Sequence, residues 1–229
     1  MARIAGMYCP GLLGRAVAAT AAMLERMDER AGAQTAQVGG IALAVGAGGS
    51  VARSGSVLAA VDGAFLNADA LPGGKGAAPA VQIAELYRRH GMVGALQRLD
   101  GDFAVVLHDQ GNGETWLARD RVGVRPLYYG LADGTFTVAS RPGGLLALPE
   151  TDRRVNPRWV AVFAGSHYRY IDNRPEESPF AAIAQVPAAT AVRIKGNHAR
   201  LERYWTLGDQ DEFVASEAAL ATNSSWSPK

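Results

Sequence analysis

Residue types able to do covalent or acid–base chemistry are sparse in this sequence, and most lack a partner. Cys9 is the single cysteine, so neither an intramolecular disulfide nor a thiolate zinc cluster can form. Cleavage after Tyr8 would make it a terminal nucleophile, but a free cysteine is usually a small buried hydrophobe, and Cys9 reads as one at a strand end. His108 alternates with Phe103, Val105 and Leu107 and is expected on the solvated side of a strand; His90 precedes a helix break, and His167 and His198 fall in loops. Asp100, Asp102 and Asp109 flank the same apolar run without a histidine or glutamate at ligand spacing, so turn and surface roles suit them better than a metal site. No metal and no cofactor is expected. Arg119, Asp120 and Arg121 form a charged cluster, for which an Arg119–Asp120 ion pair ordering the loop before Pro126 is a better account than catalysis.

The elements that must position these residues can be read from periodicity. Arg3 to Cys9 is a short apolar strand bounded by Pro10-Gly11. Leu12 to Arg30 repeats apolar residues at three- and four-residue spacing (Leu13, Val17, Ala21, Leu24, Met27), which predicts an amphipathic helix with Met23, Leu24 and Met27 in the core. Ile41–Val45 and Val57–Val61 are buried-type strands separated by a glycine-rich turn. After the Ala68–Pro79 loop come two short helices, Val81–Arg89 and Met92–Leu99, broken at His90-Gly91. Strands are expected at 103–108, 115–118, 127–129 and 135–139, with hairpin turns at Gly111-Asn112-Gly113 and Asp133-Gly134. Leu145–Leu148 and Pro157–Gly165 look helical, and 191–195 with 199–205 form a last hairpin. Residues 206–229 turn polar and read as a linker or tail.

Charge narrows the possible partners. The 23 basic and 22 acidic residues leave a net +1, and neither sign forms a block, which argues against nucleic acid or an anionic membrane as partner. No stretch approaches the ~18 uninterrupted apolar residues of a membrane span, and the first residues lack a secretory pattern. A soluble cytoplasmic protein is the expectation.

Three stretches carry a more specific message: Leu99-Asp-Gly-Asp-Phe-Ala-Val-Val-Leu-His-Asp109, Leu117-Ala-Arg-Asp-Arg-Val-Gly-Val-Arg-Pro-Leu-Tyr-Tyr-Gly130, and Phe136-Thr-Val-Ala-Ser140. Together with Ile4-Ala5-Gly6 near the start, and Ser178-Pro179-Phe180 and Arg203-Tyr204-Trp205 near the end, they resemble the glutamine amidotransferase domain of asparagine synthetases over residues 1–205. The resemblance implies an α+β fold of the N-terminal-nucleophile hydrolase type, a four-layer αββα sandwich. In that family a cysteine exposed by methionine removal attacks the glutamine amide, and its own α-amino group acts as base. An oxyanion hole stabilises the intermediate, and the ammonia passes to an ATP-using domain.

Placed on this chain, the family's catalytic pattern is incomplete. Ala2 stands at the nucleophile's position, and Arg3 replaces the glycine that follows it. Asp62-Gly63 occupies the place of the Asn-Gly oxyanion pair, so an acceptor replaces the donor amide, and Ala64 replaces a glutamate that helps hold glutamine. Gly76-Ala77-Ala78-Pro79-Ala80 aligns with the substrate loop, putting Ala78 where an aspartate grips the substrate's α-amino group. Arg3, Ala64 and Ala78 thus mark a degenerate substrate pocket, and Ala2, Asp62 and Gly63 a degenerate catalytic one. The register also places Cys9 too late in the chain to be the nucleophile.

The resemblance therefore implies a domain without glutaminase activity, acting as scaffold for an ATP-dependent synthetase or cyclase partner or C-terminal half, as in β-lactam synthetases and lasso-peptide macrocyclases. Two alternatives stay open: an amide hydrolase with a non-standard nucleophile, and a module binding a peptide or amino acid in the remodelled pocket. A homodimer is compatible with the family. Ser166–Asp172, aromatic and basic, is expected to form an interdomain contact or a plug closing the sandwich.

Overall fold

The computed structural model describes residues 3–29, 31–165 and 174–208. In chain order the elements are β1 (Ile4–Tyr8), α1 (Leu13–Arg26), β2 (Gln34–Val38), β3 (Ile41–Val45), β4 (Ser50–Ser54), β5 (Val57–Phe65), α2 (Pro79–Gln97), β6 (Gly101–Asp109) and β7 (Glu114–Arg119). They continue with β8 (Tyr128–Ala132), β9 (Thr135–Ala139), α3 (Pro142–Leu145), α4 (Pro157–Gly165), β10 (Ala184–Gln185), β11 (Thr190–Lys195) and β12 (His198–Arg203). The strands form two 6-stranded sheets, ordered β10-β8-β9-β1-β3-β2 and β12-β11-β7-β6-β5-β4.

Two sheets facing each other, with helices outside both, require strands that are apolar on both faces. β6 shows how the sequence meets that demand. Phe103, Val105 and Leu107 point outward against Ile83, Ala84, Leu86 and Leu96 of α2. Ala104 and Val106, one residue out of phase, point inward to meet Ile4, Leu43 and Val138 of the opposite sheet. A third apolar layer joins Ala16, Met23, Leu24 and Met27 of α1 to Ala5, Met7, Ala42 and Ala44 on the outer face of the first sheet. The result is the four-layer αββα sandwich, with an apolar layer at each of its three seams.

Several expectations meet their elements closely. α2 is two helical halves joined at Gly91, whose φ of 68° and ψ of 177° interrupt the helix at the expected break; a side chain there would be strained. The Met23, Leu24 and Met27 side chains and Cys9 are buried. Others need correction. β3 and β5 are not neighbours across one glycine turn: β3 pairs with β1 and β2, β5 with β4 and β6, in separate sheets. The helix expected at Leu145–Leu148 is α3, Pro142–Leu145, started by a proline at its first turn. His108 is not solvated. It is 3% exposed between the sheets, its Nδ1 lies 2.9 Å from Thr115 Oγ1 and its ring 5.5 Å from that of Tyr8. In a four-layer fold both faces of β6 are core, so alternation carried it inside rather than out. Burial there holds the imidazole pKa below its usual value. The Ser166–Asp172 segment and most of the 206–229 tail lie outside the described residues, and no described helix is long and apolar enough to cross a membrane.

Candidate functional site

One pole of the sandwich is organised by the loop between β7 and β8, and the arginine motif explains how. Asp120 is fully buried and accepts backbone N–H groups from Val122 (3.2 Å), Val124 (2.9 Å) and Arg125 (3.0 Å). Arg119 donates to the carbonyls of Arg125 (2.6 Å), Val186 (2.7 Å) and Gly123. Tyr204, near the end of the described chain, donates its hydroxyl to the Arg119 carbonyl at 2.7 Å, and burial raises its pKa. The expected Arg119–Asp120 ion pair is not what orders the loop. Each residue instead saturates a different set of backbone groups, which a buried loop must satisfy somehow. A buried, hydrogen-bonded structural role is the outcome for both.

That loop aims Arg125 at the end of β5. Arg125 Nη1 lies 3.5 Å from Asp62 Oδ1, and Asp62 is 2% exposed. The pair is close without being hydrogen-bonded: Asp62 Oδ1 and the Nε and Nη1 of Arg125 are buried with no hydrogen-bond partner. Burial raises the Asp62 pKa, and the opposing pull of Arg125 and Arg3 offsets that only in part. Gly63 follows with φ at +118°, and a Cβ there would lie 1.9 Å from the Asp102 carbonyl oxygen. Both facts make glycine obligatory at this point.

The same pole collects the chain start and the start of α2. Arg3 Nε donates to Glu29 Oε1 at 3.1 Å, and the Gly46 N–H donates to the Arg3 carbonyl at 2.9 Å. Gly46 lies in the turn that leads to β4, where Ser50 pairs with Val61, the neighbour of Asp62. Ser50 Oγ accepts the Ala80 N–H at 3.0 Å and so caps α2 from outside, because its own cap residue, Ala78, offers no side-chain acceptor. Ala64 and Ala78 are both exposed. The structure thus brings Arg3, Asp62, Gly63, Ala64 and Ala78 to one end of the sandwich; Ala2 lies outside the described residues. Cys9 is not part of this site. It follows the far end of β1, six residues from Arg3 and roughly 20 Å away at about 3.3 Å per strand residue.

Glu29 and Arg125 belong to the site although sequence reasoning assigned neither to it. Each is opposite in charge to a residue that had been singled out, but separation along the chain hid both pairings. Two arginines against two carboxylates leave the pole near neutral. Electrostatically it offers a buried carboxylate facing a guanidinium at 3.5 Å. Among the described residues no group of three or more His, Cys, Asp or Glu could hold a metal ion.

Comparison with known proteins agrees with this architecture. The family model for the glutamine amidotransferase domain matches residues 79–205, which take in α2, the Arg119–Pro126 loop and the last hairpin. The asparagine synthetase [glutamine-hydrolyzing] of Cricetulus griseus is 31% identical over 144 residues, 61% of this chain and 23% of that protein. The same enzyme of Gallus gallus is 39% identical over 94 residues, 41% of this chain and 16% of that protein. The chain therefore spans less than a quarter of the length of these relatives. A glutamine phosphoribosylpyrophosphate amidotransferase structure from B. subtilis superposes with a TM-score of 0.59 at 16% identity, covering 90% of this chain and 50% of that one. A glutamine aminotransferase class-II domain protein from Silicibacter pomeroyi gives 0.50 at 12% identity, covering 88% and 98%. At such identities these two speak to the fold alone. With more than half of this chain matched by the family model, the chain belongs to the glutamine amidotransferase domain family and is similar to the domain found in asparagine synthetases.

Proposed function

We propose that this domain does not release ammonia from glutamine and serves as the structural half of an ATP-dependent, amide-forming system in the cytoplasm. The observation that carries the reading is Asp62. A buried carboxylate, drawn against Arg125 at 3.5 Å, occupies the end of β5 where the family's amide donor would stabilise an oxyanion. Loss of one such donor costs roughly 10²- to 10³-fold in rate, and a negative charge at that point opposes the developing oxyanion. Ala2 in the nucleophile's position and Ala64 and Ala78 in substrate positions support the same conclusion from the sequence. The relatives are asparagine synthetases, whose length beyond the matched part suggests the ATP-dependent partner.

The test is ammonia release from glutamine by the purified protein, beside Cys9→Ser and an Ala2→Cys/Asp62→Asn variant. Wild type and Cys9→Ser are expected at background. Sustained turnover by the wild type would overturn the proposal, and loss of that turnover in Cys9→Ser would identify the sulfur responsible. Gain of turnover in the double variant would show that the scaffold still supports the family's chemistry.

A further inference from the structure

The outer face of the second sheet is apolar along most of its length, where Phe103, Val105, Leu107 and Ala118 pack beneath α2. At one end it turns polar. Arg193 and Trp116 are cross-strand partners on β11 and β7, and Asp109 and Glu114 are partners on β6 and β7. Strand alternation puts Glu114 on the same face as Trp116, and Asp109 on the same face as Leu107. These groups floor a cleft of about 640 Å³, walled by Tyr87 and Met92 beside the break in α2 at Gly91. Small-molecule sites occupy roughly 300–1,000 Å³. The cleft is at the opposite pole from Asp62: Val57, which also lines it, precedes Asp62 by five residues of β5, roughly 16 Å.

The fold satisfies the acidic side of this cleft and leaves the basic side short. Asp109 takes three donors: the Ser56 hydroxyl at 2.8 Å and the Gly111 N–H at 2.9 Å on Oδ1, and the Tyr87 hydroxyl at 3.1 Å on Oδ2. Glu114 is buried and accepts from both Arg193 and Lys195, the second at 3.4 Å. The bond from Arg193 holds its pKa below the usual carboxylate value, so it is ionised at neutral pH. Two cations thus share one carboxylate, which leaves positive charge over. Two donors are also left over. The indole N–H of Trp116, whose side chain is buried, and the Nε–H of Arg193 have no hydrogen-bond partner among the described residues. Buried donors without acceptors carry a desolvation cost that the fold does not offset. They belong to neighbouring side chains, with the Arg193 guanidinium 5.6 Å over the Trp116 ring. What this corner lacks is a negatively charged acceptor.

We propose that this cleft binds a small organic carboxylate, whose oxygens accept from Trp116 Nε1–H and Arg193 Nε–H while an apolar body rests against Val57 and Met92. The Arg193 side chain, 38% exposed, is the group that turns on its long stem to admit the ligand to the indole beneath it. A carboxylate suits the corner better than a phosphate, because Asp109 and Glu114 line the same cleft and would repel a second unit of negative charge. The cleft lies away from the Asp62 pole, so it serves a ligand whatever becomes of glutamine there.

The test titrates the full, ¹⁵N-labelled chain with benzoate at millimolar concentration and follows the tryptophan indole N–H resonances by NMR. The chain has 4 tryptophans, and the resonance lost in Trp116→Phe belongs to Trp116. Saturable movement of that resonance is expected. Benzamide, which keeps the shape and loses the charge, is expected to bind the wild type at least tenfold more weakly, and inorganic phosphate more weakly than benzoate. Trp116→Phe, which keeps a ring in the core and removes the N–H, and Arg193→Gln should each weaken benzoate at least tenfold by calorimetry. A Trp116 resonance that benzoate leaves unmoved would overturn the proposal. So would benzamide matching benzoate, phosphate binding more tightly than benzoate, or Trp116→Phe binding like the wild type. The comparison of the three probes is made on the wild type, so it decides the matter even where Arg193→Gln does not fold. No arm reads ammonia release, and failure here leaves the scaffold reading untouched.

Discussion

Replacing Asp62 by asparagine tests the electrostatics of the pole directly, because it removes a charge and almost no volume. At 3.5 Å and an effective dielectric of about 20, the attraction between Asp62 and Arg125 is about 5 kcal/mol. Against it stands the removal of both charges from water, which costs several kcal/mol per buried ion, on the order of the attraction itself. The pair makes no hydrogen bond that would tip the balance. The direction of the Asp62 pKa decides the sign: it is raised, with burial the leading cause, so the ionised form is less favourable in the native state than in the unfolded chain. For a carboxylate whose folded pKa lies above its unfolded value of about 3.9, the native state holds more protons between the two values. Stability therefore rises as pH falls through that window, and the cost is fully present above the folded pKa. Asp62→Asn is consequently expected to be more stable than the wild type at neutral pH, by about 1 kcal/mol or roughly 2–4 °C in melting temperature. The gain should vanish as the wild type protonates on acidification. Thermal melts of both proteins from pH 4 to pH 8, followed by circular dichroism, measure this. If Asp62→Asn melts several degrees below the wild type at pH 7, the ion pair is a net stabiliser and the desolvation reasoning is wrong.

Gly63→Ala combines a φ of +118° with a Cβ 1.9 Å from the Asp102 carbonyl, so it should destabilise by about 3 kcal/mol or more; a denaturant midpoint within error of wild type would contradict the register of β5 on β6. Tyr204→Phe deletes a buried hydroxyl that donates to the Arg119 carbonyl and should cost about 1–2 kcal/mol, with hydrogen exchange rising first in residues 119–126. His108 is held neutral by burial. Stability is thus expected to fall as pH drops below the unfolded histidine pKa of about 6.5 toward the depressed native value, because only the unfolded chain readily takes the proton. His108→Gln should flatten that part of the pH–stability curve, and an unchanged slope would place the acid sensitivity elsewhere.

The parts of the fold that could be read in advance are those where burial writes a period into the chain. β3, β9 and α4 fall on their expected bounds, and the kink in α2 was announced by a single glycine. β2, β4 and β10 were not legible. β2 and β10 are sheet edges on one side of the molecule or the other, β4 is the edge of the second sheet, and residues such as Gln34, Thr35 and Gln37 in β2 face solvent. An edge strand is specified by the backbone hydrogen bonds it makes, which leave no mark on side-chain pattern. His108 shows the complementary error. Alternation tells which residues share a face, and only knowledge of the layers tells that both faces are buried. At the pole, Asp62 was recognisable by its place in a motif. Its partner Arg125 was not, since that pairing depends on the loop path set by Arg119 and Asp120.

The two kinds of position at the pole bear different energetic burdens, and this makes a family scaffold without the family's chemistry physically coherent. Arg119, Asp120 and Gly63 are held by the fold: the first two satisfy six backbone groups between them, and the third fits a place where any side chain would collide. Removing any of them would leave buried polar groups unpaired or the backbone strained. Ala64 and Ala78 are exposed, and the N-terminus of α2 takes its cap from Ser50, so on the proposed reading side chains that grip a substrate can be lost there without weakening a packed layer. Asp62 lies between these cases. It is buried like a scaffold residue but makes no hydrogen bond through Oδ1, and among the described residues its ion-pair partner is a guanidinium delivered by the same loop that Arg119 and Asp120 hold in place. The rigid loop therefore supplies the countercharge that lets a carboxylate sit at this point. On the proposed reading, the motif that once ordered a catalytic mouth now stabilises the residue that closes it.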